Sequence, residues 1–232
     1  MNKTIHRAKY VMAEAGSLLS NAAVHVSAAG RILRVEPWQG KPPDAGVSVI
    51  DWGTALIMPG LVNAHTHLEL GFLDRRLDRT AEFTHWLAQL INKRQAVDDA
   101  RLAESVREGA LQRLSSGTTL VGDISSAGVS RPALKPSLVR RVVFEEALFL
   151  APERAAEVMG PLKLRLEAAE PGGLTECGIS PHAPYSVSPE LYRLTAALAR
   201  ERRIPLATHV AETRSEQEFL RNGAGRRSFY VA

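Results

Sequence analysis

The stretch Leu56–Leu70, LIMPGLVNAHTHLEL, decides how the rest of the chain is interpreted. Its apolar run leads into two histidines, His65 and His67. Side chains alternate between the two faces of a strand, so a strand over 61–67 points both imidazoles the same way. Two imidazoles side by side on one rigid element make half of a tetrahedral nitrogen site for a metal such as zinc. The alternative is that one or both are ordinary polar residues at a strand end.

Downstream of this stretch, β-type segments alternate with amphipathic helical segments. We predict further strands at 118–125, 140–150, 178–185 and 206–210, and helices at 80–95, 98–114, 152–169, 189–202 and 215–222. This alternation is typical of βα units and a parallel sheet. His85 and Trp86 lie on the first of these helices, where we expect core or surface roles.

The first 55 residues contain β-type segments only. The segments 22–26 and 31–35 flank the turn sequence Ser27-Ala28-Ala29-Gly30, as the two strands of a hairpin do. A further alternating segment lies at 47–51. We therefore expect an all-β part before the α/β part.

The composition is that of an ordinary globular protein. Of the 232 residues, 45% are hydrophobic and 23% are charged, and the apolar runs are shorter than the roughly 20 residues of a membrane span. The net charge of +4 comes from basic residues spread among acids along helical segments. That pattern indicates solvated helix faces, with no nucleic acid and no membrane as partner. The single Cys177 cannot form an internal disulfide and favours a reducing, cytoplasmic location.

Three motifs follow one another in the order that the amidohydrolase superfamily has them: PGLVNAHTHLEL from Pro59, ISPHAPYSVSPEL from Ile179 and THVAET from Thr208. The chain resembles the branch of adenosine-, cytosine- and aminodeoxyfutalosine-type deaminases. The resemblance implies a TIM-type (β/α)8 barrel, of which the chain holds about five βα units. A small N-terminal β-sandwich portion would precede it. The expected domains are 1–55 for the incomplete sandwich part and 56–232 for the N-terminal part of the barrel.

The resemblance also implies the members of a metal site. In such a barrel the C-terminal ends of the strands meet at one mouth, where the chemistry takes place. The residues matching the family's metal ligands are His65, His67 and His209. The stretch CGISPHAPY contains no lysine to bridge two metals, so one divalent ion is expected. Zinc is the first choice and iron the alternative, because histidines alone do not distinguish them.

Three further residues match or lie close to the family's catalytic positions. Glu212 matches the glutamate that moves protons: a divalent metal lowers the pKa of bound water from about 15.7 to about 7, and a nearby carboxylate can carry its proton to a ring nitrogen and the leaving amine. The alternative for Glu212 is an exposed acid at a helix start. His182 is expected to hydrogen-bond the substrate or the attacking water, the alternative being a structural histidine. Glu69 could face the same mouth and touch a substrate hydroxyl or amine.

The function implied by the resemblance is hydrolytic deamination of an amino-substituted heterocycle or nucleoside, with release of ammonia. An aminodeoxyfutalosine-like nucleoside is the first candidate. A family member would add a histidine from the sixth strand and an aspartate from the eighth, whereas this chain ends after the fifth. The alternative is therefore a truncated, catalytically incomplete remnant or half of a split enzyme. Such a chain is expected to be poorly stable, to self-associate or bind a complementing C-terminal half, and to have weak or absent deaminase activity by itself.

Overall fold

The computed structural model describes residues 3–14, 16–41, 44–78, 82–168 and 174–223. These residues belong to two compact units, Met1–Gly60 and Leu61–Ala232. The first unit is built of strands, and in the second strands alternate with helices, so the chain is of the mixed α/β class. Among the described residues, every helix is too short or too polar to cross a membrane.

The first unit is a five-stranded sheet. Its strands are β1 (Thr4–Glu14), β2 (Ser17–Val26), β3 (Ile32–Pro37), β4 (Ser48–Asp51) and β5 (Leu56–Ile57). The pairs β1–β2 and β2–β3 are antiparallel, whereas β4 and β5 lie parallel to β1. The predicted hairpin is confirmed, since β2 and β3 pair on either side of the Ser27–Gly30 turn. Val11 of β1 and Ala22 and Val24 of β2 form a small buried core within this unit.

The second unit is built on a parallel sheet whose strands follow one another in sequence order. They are β6 (Leu61–Thr66), β7 (Thr118–Ser125), β8 (Arg140–Ala147) and β9 (Thr175–Pro181). Each strand pairs with the next in parallel register. The predicted parallel sheet is thereby confirmed, and the C-terminal ends of all four strands lie at the same edge.

The predicted fifth strand, 206–210, is an extended segment rather than a regular strand. It pairs with β9 through a single bridge between Ile179 and Leu206. The N–H of Ala207 donates to Ile179 O at 3.0 Å, and the next bond of a parallel ladder would need an N–H at Pro181, which proline lacks. The segment is instead held further along, where His209 N donates to His182 O at 2.8 Å.

Helices follow the strands of the second unit. They are α1 (Phe83–Gln95), α2 (Asp99–Ser115), α3 (Ser130–Leu134), α4 (Ala155–Glu167), α5 (Pro189–Arg202) and α6 (Arg214–Asn222), with 3-10 helices at Leu68–Leu73 and Pro152–Arg154. The five predicted helices are present with shifted ends, and residues 80, 81 and 169 of those predictions lie outside the described residues. The sequence patterns did not predict α3 or the 3-10 helix at Leu68–Leu73, because both are too short to show a helical period of apolar residues.

Caps explain where two of these helices begin. The Asp98 side chain accepts a hydrogen bond from Arg101 N at 2.9 Å before α2, and Ser188 accepts from Leu191 N at 3.2 Å before α5. Each cap satisfies an amide at the helix start that has no partner within the helix.

Two apolar clusters join the helices to the sheet. The first contains Leu102 and Val106 of α2 together with Val121 of β7, and the second contains Leu162 of α4 and Leu191 of α5. All five side chains are fully buried. This packing fixes the strands and leaves their C-terminal ends, with the loops that follow, free to form a site.

Candidate metal centre

The C-terminal end of β6 and the segment 206–210 bring three imidazoles together. The centroid of the His65 ring lies 5.0 Å from that of His67 and 4.8 Å from that of His209. The rings of His67 and His209 are nearly parallel, with centroids 5.5 Å apart. One nitrogen from each ring lies within 4.8 Å of the corresponding atoms of the other two. The structure therefore brings the three predicted ligands together, while their role as ligands stays a prediction.

The chemistry of these donors fits a divalent metal ion. Burial, followed by the neighbouring imidazoles, lowers the pKa of His67 to about 3, and burial also lowers the pKa of His65. Both rings are thus neutral at pH 7, as metal ligands must be. In a tetrahedral site, zinc–imidazole bonds of about 2.0–2.1 Å place ligand nitrogens about 3.3–3.4 Å apart, so nitrogens that now lie within 4.8 Å of one another would move closer by up to about 1.5 Å. Three protein ligands leave a position open, which is typical of catalytic zinc sites.

Two buried carboxylates hold the chain that follows His67. Asp123, near the end of β7, accepts a hydrogen bond from Leu68 N at 2.8 Å. In the opposite direction, Glu69 accepts from Ser126 N at 2.9 Å and from the Ser126 hydroxyl. The loop after β6 and the loop after β7 are therefore tied to each other in both directions. A bond from a backbone N–H to a buried carboxylate fixes the main chain directly, and so limits where the His67 ring can lie.

Glu69 is placed differently from the prediction that it faces the mouth. Its side chain is only 1% exposed and turns towards the loop after β7, where Ser126 satisfies it. The reason is that residues 68–73 form a 3-10 helix, so the alternation of a strand does not continue past His67. A contact between Glu69 and substrate stays a prediction.

His182 lies beside the three histidines but in a different environment. Its ring centroid is 5.1 Å from that of His209, and its Nδ1 is 2.5 Å from the hydroxyl oxygen of Ser186. Burial and the neighbouring His209 lower the pKa of His182 to about 4, so the ring is neutral at pH 7. It lines the same cavity as the three histidines.

Glu212 has a partner that the sequence reasoning missed. The hydroxyl of Tyr185 donates to Oε2 of Glu212 at 3.1 Å. Burial and the charge of Glu212 raise the pKa of Tyr185, so the phenol keeps its proton and remains a donor. A signal was present, because Tyr185 follows His182 by three residues in the proline-restricted sequence PHAPY.

A buried glutamate on α6 positions the loop that carries Glu212. Glu216 is fully buried, and its carboxylate accepts hydrogen bonds from Glu212 N at 2.6 Å and from Ala211 N at 3.2 Å. Ala211 adopts a left-handed conformation with φ of 57°, which costs a non-glycine residue about 1–2 kcal/mol. Thr213 caps the helix by accepting from Glu216 N at 3.1 Å. The sequence signal was the pattern Thr-x-x-Glu at 213–216, typical of a helix start.

These side chains border a cavity of about 340 Å³. It is lined by His65, His67, Leu70, Phe83, Trp86, Leu87, His182, Tyr185, His209 and Glu212. Helix α1 supplies apolar lining residues, and the rings of Phe83 and Trp86 stack with their centroids 6.0 Å apart. Trp86 was expected to have a core or surface role and lines the cavity instead. No residue of α1 is fully buried, so its apolar side chains are available to the cavity.

The sequence profile of the amidohydrolase family matches residues 56–231. A 5-methylthioadenosine/S-adenosylhomocysteine deaminase of Symbiobacterium thermophilum is 30% identical over 209 residues, covering 85% of this chain and 46% of that protein. An aminodeoxyfutalosine deaminase of Deinococcus radiodurans is 32% identical over 179 residues, covering 74% of this chain and 40% of that protein. The chain therefore spans about half the length of the curated relatives it matches.

Solved structures show the same fold. The aminofutalosine deaminase of Helicobacter pylori, in complex with methylthio-coformycin, superimposes with a TM-score of 0.78 at 24% identity, covering 96% of this chain and 54% of that one. An adenosine deaminase of Xanthomonas campestris with bound zinc gives a TM-score of 0.77 at 24% identity, covering 95% of this chain and 52% of that one. At this level of identity the similarity concerns the fold alone. Some of the similar structures contain zinc.

Proposed function

Because this chain belongs to the amidohydrolase family, we propose that it takes part in the hydrolytic deamination of an adenosine-like nucleoside, with release of ammonia. The observation that carries the proposal is the meeting of three histidine nitrogens within 4.8 Å, beside the cavity that Glu212 also lines. Relatives described as 5-methylthioadenosine/S-adenosylhomocysteine and aminodeoxyfutalosine deaminases support the substrate class. An aminodeoxyfutalosine-like nucleoside remains the first candidate.

In this proposal His65, His67 and His209 hold one divalent ion. Zinc is preferred to iron, since the structural relatives include zinc-bound proteins. When bound, such an ion supplies water of lowered pKa and polarises the group under attack. The neutral state of His65 and His67 favours metal binding, because neither ring has to lose a proton at pH 7 before it can coordinate the ion.

Glu212 is proposed to move the protons. Its carboxylate takes one proton from the attacking water and gives it to the ring nitrogen of the nucleoside. It then carries the second proton, from the hydroxyl group now on the attacked carbon, to the leaving amine. A C–O bond forms, the C–N bond breaks and ammonia departs. Tyr185 donates to Oε2, which leaves Oε1 as the oxygen that exchanges protons. His182 is proposed to hydrogen-bond the substrate or the attacking water.

The aromatic lining supports a heterocyclic substrate. Phe83 and Trp86 contribute flat aromatic surface to the cavity, and the histidines, Tyr185 and Glu212 contribute polar groups. Such a combination suits an aromatic base, whose faces are apolar and whose edges carry nitrogen atoms and the amine.

The test is an assay of the purified 232-residue chain with zinc added. Ammonia release is measured from adenosine, 5-methylthioadenosine, S-adenosylhomocysteine and aminodeoxyfutalosine. We expect turnover of at least one nucleoside, and Glu212→Gln should abolish it while zinc binding is kept. Turnover that Glu212→Gln leaves intact would contradict the role of Glu212. Zinc binding without any turnover would favour the second candidate below.

The edges of the parallel sheet favour that second candidate, a catalytically incomplete portion of an amidohydrolase. In β6, Leu61 and Val62 are 52% and 62% exposed, and Val210 at the other edge is 65% exposed. Apolar residues along open edges are sites where further strands pair. The chain would then self-associate or bind a complementing C-terminal half. A monodisperse monomer with robust turnover would contradict it, as light scattering combined with the assay would show.

The finer description of the fold is part of the same proposal. We infer that the second unit is the first part of a (β/α)8 barrel of about five βα units, with domains at 1–55 and 56–232. The family match and the parallel sheet support the barrel, and the sheet of the first unit supports a portion of a β-sandwich. The lone Cys177 supports a cytoplasmic location.

A further inference from the structure

We propose that Arg165, on helix α4, is a positioning residue for His67. It acts through the buried carboxylates of Glu145 and Glu69, which are connected by the loop at residues 125–130. The inference rests on the proposed function in one respect, since it takes His67 to be a metal ligand.

The anchor of this arrangement is Glu145, near the end of β8. Its side chain is fully buried, and each of its carboxylate oxygens pairs with a different arginine. Nε of Arg131, on α3, lies 3.0 Å from Oε1, and Nε of Arg165 lies 2.8 Å from Oε2. Nη2 of Arg165 also donates to the backbone oxygen of Glu146 at 3.0 Å. Hydrogen bonds between charged groups are stronger than neutral ones and restrict geometry more. The end of β8, α3 and α4 are therefore fixed to one another.

The loop that leads from β7 into α3 is held from two sides. On one side, Arg131 of α3 follows the loop and is bound to the anchor. On the other side, Glu69 accepts hydrogen bonds from the amide of Ser126, at 2.9 Å, and from its hydroxyl. Because Glu69 follows His67 by two residues, a displacement of this loop is passed on to the main chain that carries the His67 ring.

Gly128 brings the middle of the loop against Arg165. Its φ is 72°, and a Cβ built there would lie 2.6 Å from Cδ of Arg165. The arginine cannot move aside freely, because Glu145 and the backbone oxygen of Glu146 hold its guanidinium group. The missing side chain at 128 therefore allows the loop to pass close to Arg165, and an alanine would displace one or the other.

The consequence for metal binding follows from this chain of contacts. Loss of a residue that orients a metal ligand from outside the coordination shell typically weakens metal binding 10–100-fold. Arg165 acts one contact further away than Glu69, so we expect an effect of about tenfold, at the lower end of that range. A purely structural role of Arg165 would instead lower stability and leave the zinc affinity of the folded chain unchanged.

The test compares Arg165→Lys with the unchanged chain in two measurements. Lysine keeps the positive charge but lacks the planar fork that reaches two acceptors at once. The first measurement is hydrogen exchange at the amides of Ser126 and Leu68 in the metal-free chain. The second is the zinc dissociation constant, obtained by competition with a chromophoric chelator. We expect faster exchange at both amides and a dissociation constant raised about tenfold.

Arg202→Lys is the matched control for Arg165→Lys. Arg202, on α5, pairs with Glu167 at 3.0 Å and has no contact with the loop among the contacts of the described residues. Its replacement removes an arginine–carboxylate pair of the same kind. It should change neither the exchange at the two amides nor the zinc dissociation constant.

Gly128→Ala is the second variant, and it decides the question if Arg165→Lys does not fold. It leaves every charge in place and should show the same two effects. Gly117→Ala is its control, because Gly117 has a similar φ of 86° and, among the described residues, no atom lies within 4 Å of a Cβ built there. Equal effects in Gly117→Ala would assign them to backbone strain and overturn the proposal.

Unchanged exchange at Ser126 and Leu68 in both variants would also overturn the proposal, and so would faster exchange with unchanged zinc affinity. If the unchanged chain bound no zinc, the proposed metal centre would be wrong. The exchange measurement does not involve zinc, so faster exchange would still support the role of Arg165 in holding the main chain beside His67.

Discussion

The hydroxyl of Tyr185 donates a hydrogen bond to Oε2 of Glu212 across 3.1 Å. The bond joins the residue three positions after His182 to the residue three positions after His209. A hydrogen bond to a charged group contributes about 1.5–3 kcal/mol. We therefore expect Tyr185→Phe to lower kcat/KM for nucleoside deamination at least about tenfold, because Glu212 loses the contact that orients it. The measurement is steady-state ammonia release by the zinc-loaded chain.

Tyr10→Phe, in strand β1, is the control for the loss of a phenol hydroxyl and should leave kcat/KM unchanged. Equal activity of Tyr185→Phe and the unchanged chain would show that the Tyr185–Glu212 bond has no part in the reaction.

His209→Ala should abolish binding of one zinc ion per chain, because the two remaining imidazoles, of His65 and His67, hold zinc far more weakly than three converging ones. Equilibrium dialysis followed by metal analysis measures the stoichiometry. His85→Ala is the matched control, since His85 is exposed on α1 and should leave zinc binding intact. Undiminished zinc affinity in His209→Ala would exclude the three-histidine site.

Asp123 should make the chain less stable as the pH rises. Burial raises its pKa from 3.8 to about 7, so between these values the native chain holds a proton that the unfolded chain has released. The free energy of unfolding then falls with rising pH, by up to about 1.4 kcal/mol per pH unit. Asp123→Asn cannot titrate, and its Oδ1 can still accept from Leu68 N. Its stability relative to the unchanged chain should therefore increase from pH 5 to pH 8, as urea unfolding of the metal-free chain would show.

Ser105→Ala serves as the control for Asp123→Asn. The Ser105 hydroxyl donates to Leu68 O at 2.9 Å. Loss of this hydroxyl therefore removes a buried hydrogen bond to Leu68, the residue that Asp123 also contacts, without removing a titratable group. Its effect on stability should be the same at each pH. A pH-independent difference for Asp123→Asn as well would contradict the raised pKa.

Glu216→Ala should free the loop that carries Glu212, because the amides of Ala211 and Glu212 both lose their acceptor. Leaving such groups unsatisfied costs about 1–3 kcal/mol. We expect a loss of stability in this range and faster hydrogen exchange at the two amides. Glu216→Gln keeps one acceptor oxygen and should be milder. Glu218→Ala, at an exposed position of the same helix, should change neither quantity.

Much of the fold could be read from local patterns. The period of the apolar residues and the capping residues placed the strands β6 to β9 and the helices that follow, since these depend on neighbours a few positions away. The segment 206–210 differs because its regularity depends on a partner in another strand. Pro181, in β9, removes the donor that a continuous ladder requires.

The residues of the candidate site divide in the same way. The resemblance of three motifs to the amidohydrolase superfamily, together with the predicted strand ends, predicted that His65, His67, His209 and Glu212 would meet, since parallel strands end at one edge. Glu69, Tyr185 and Trp86 could not be placed from spacing. Where a side chain turns after a strand ends depends on the packing of the next turn.

The sequence by itself determined which atoms are available for chemistry: three imidazoles at predicted strand ends, and a carboxylate three residues after the last. The tertiary structure alone decided which other polar groups hydrogen-bond to these residues or to their loops. Tyr185 donates to Glu212, and Glu216 accepts from the backbone of Glu212. Asp123 and Glu69 tie the loop after His67 to the end of β7 and the loop that follows it. The physical reason is that a hydrogen bond depends on a few tenths of an ångström and on burial. Both are set by residues distant in the chain.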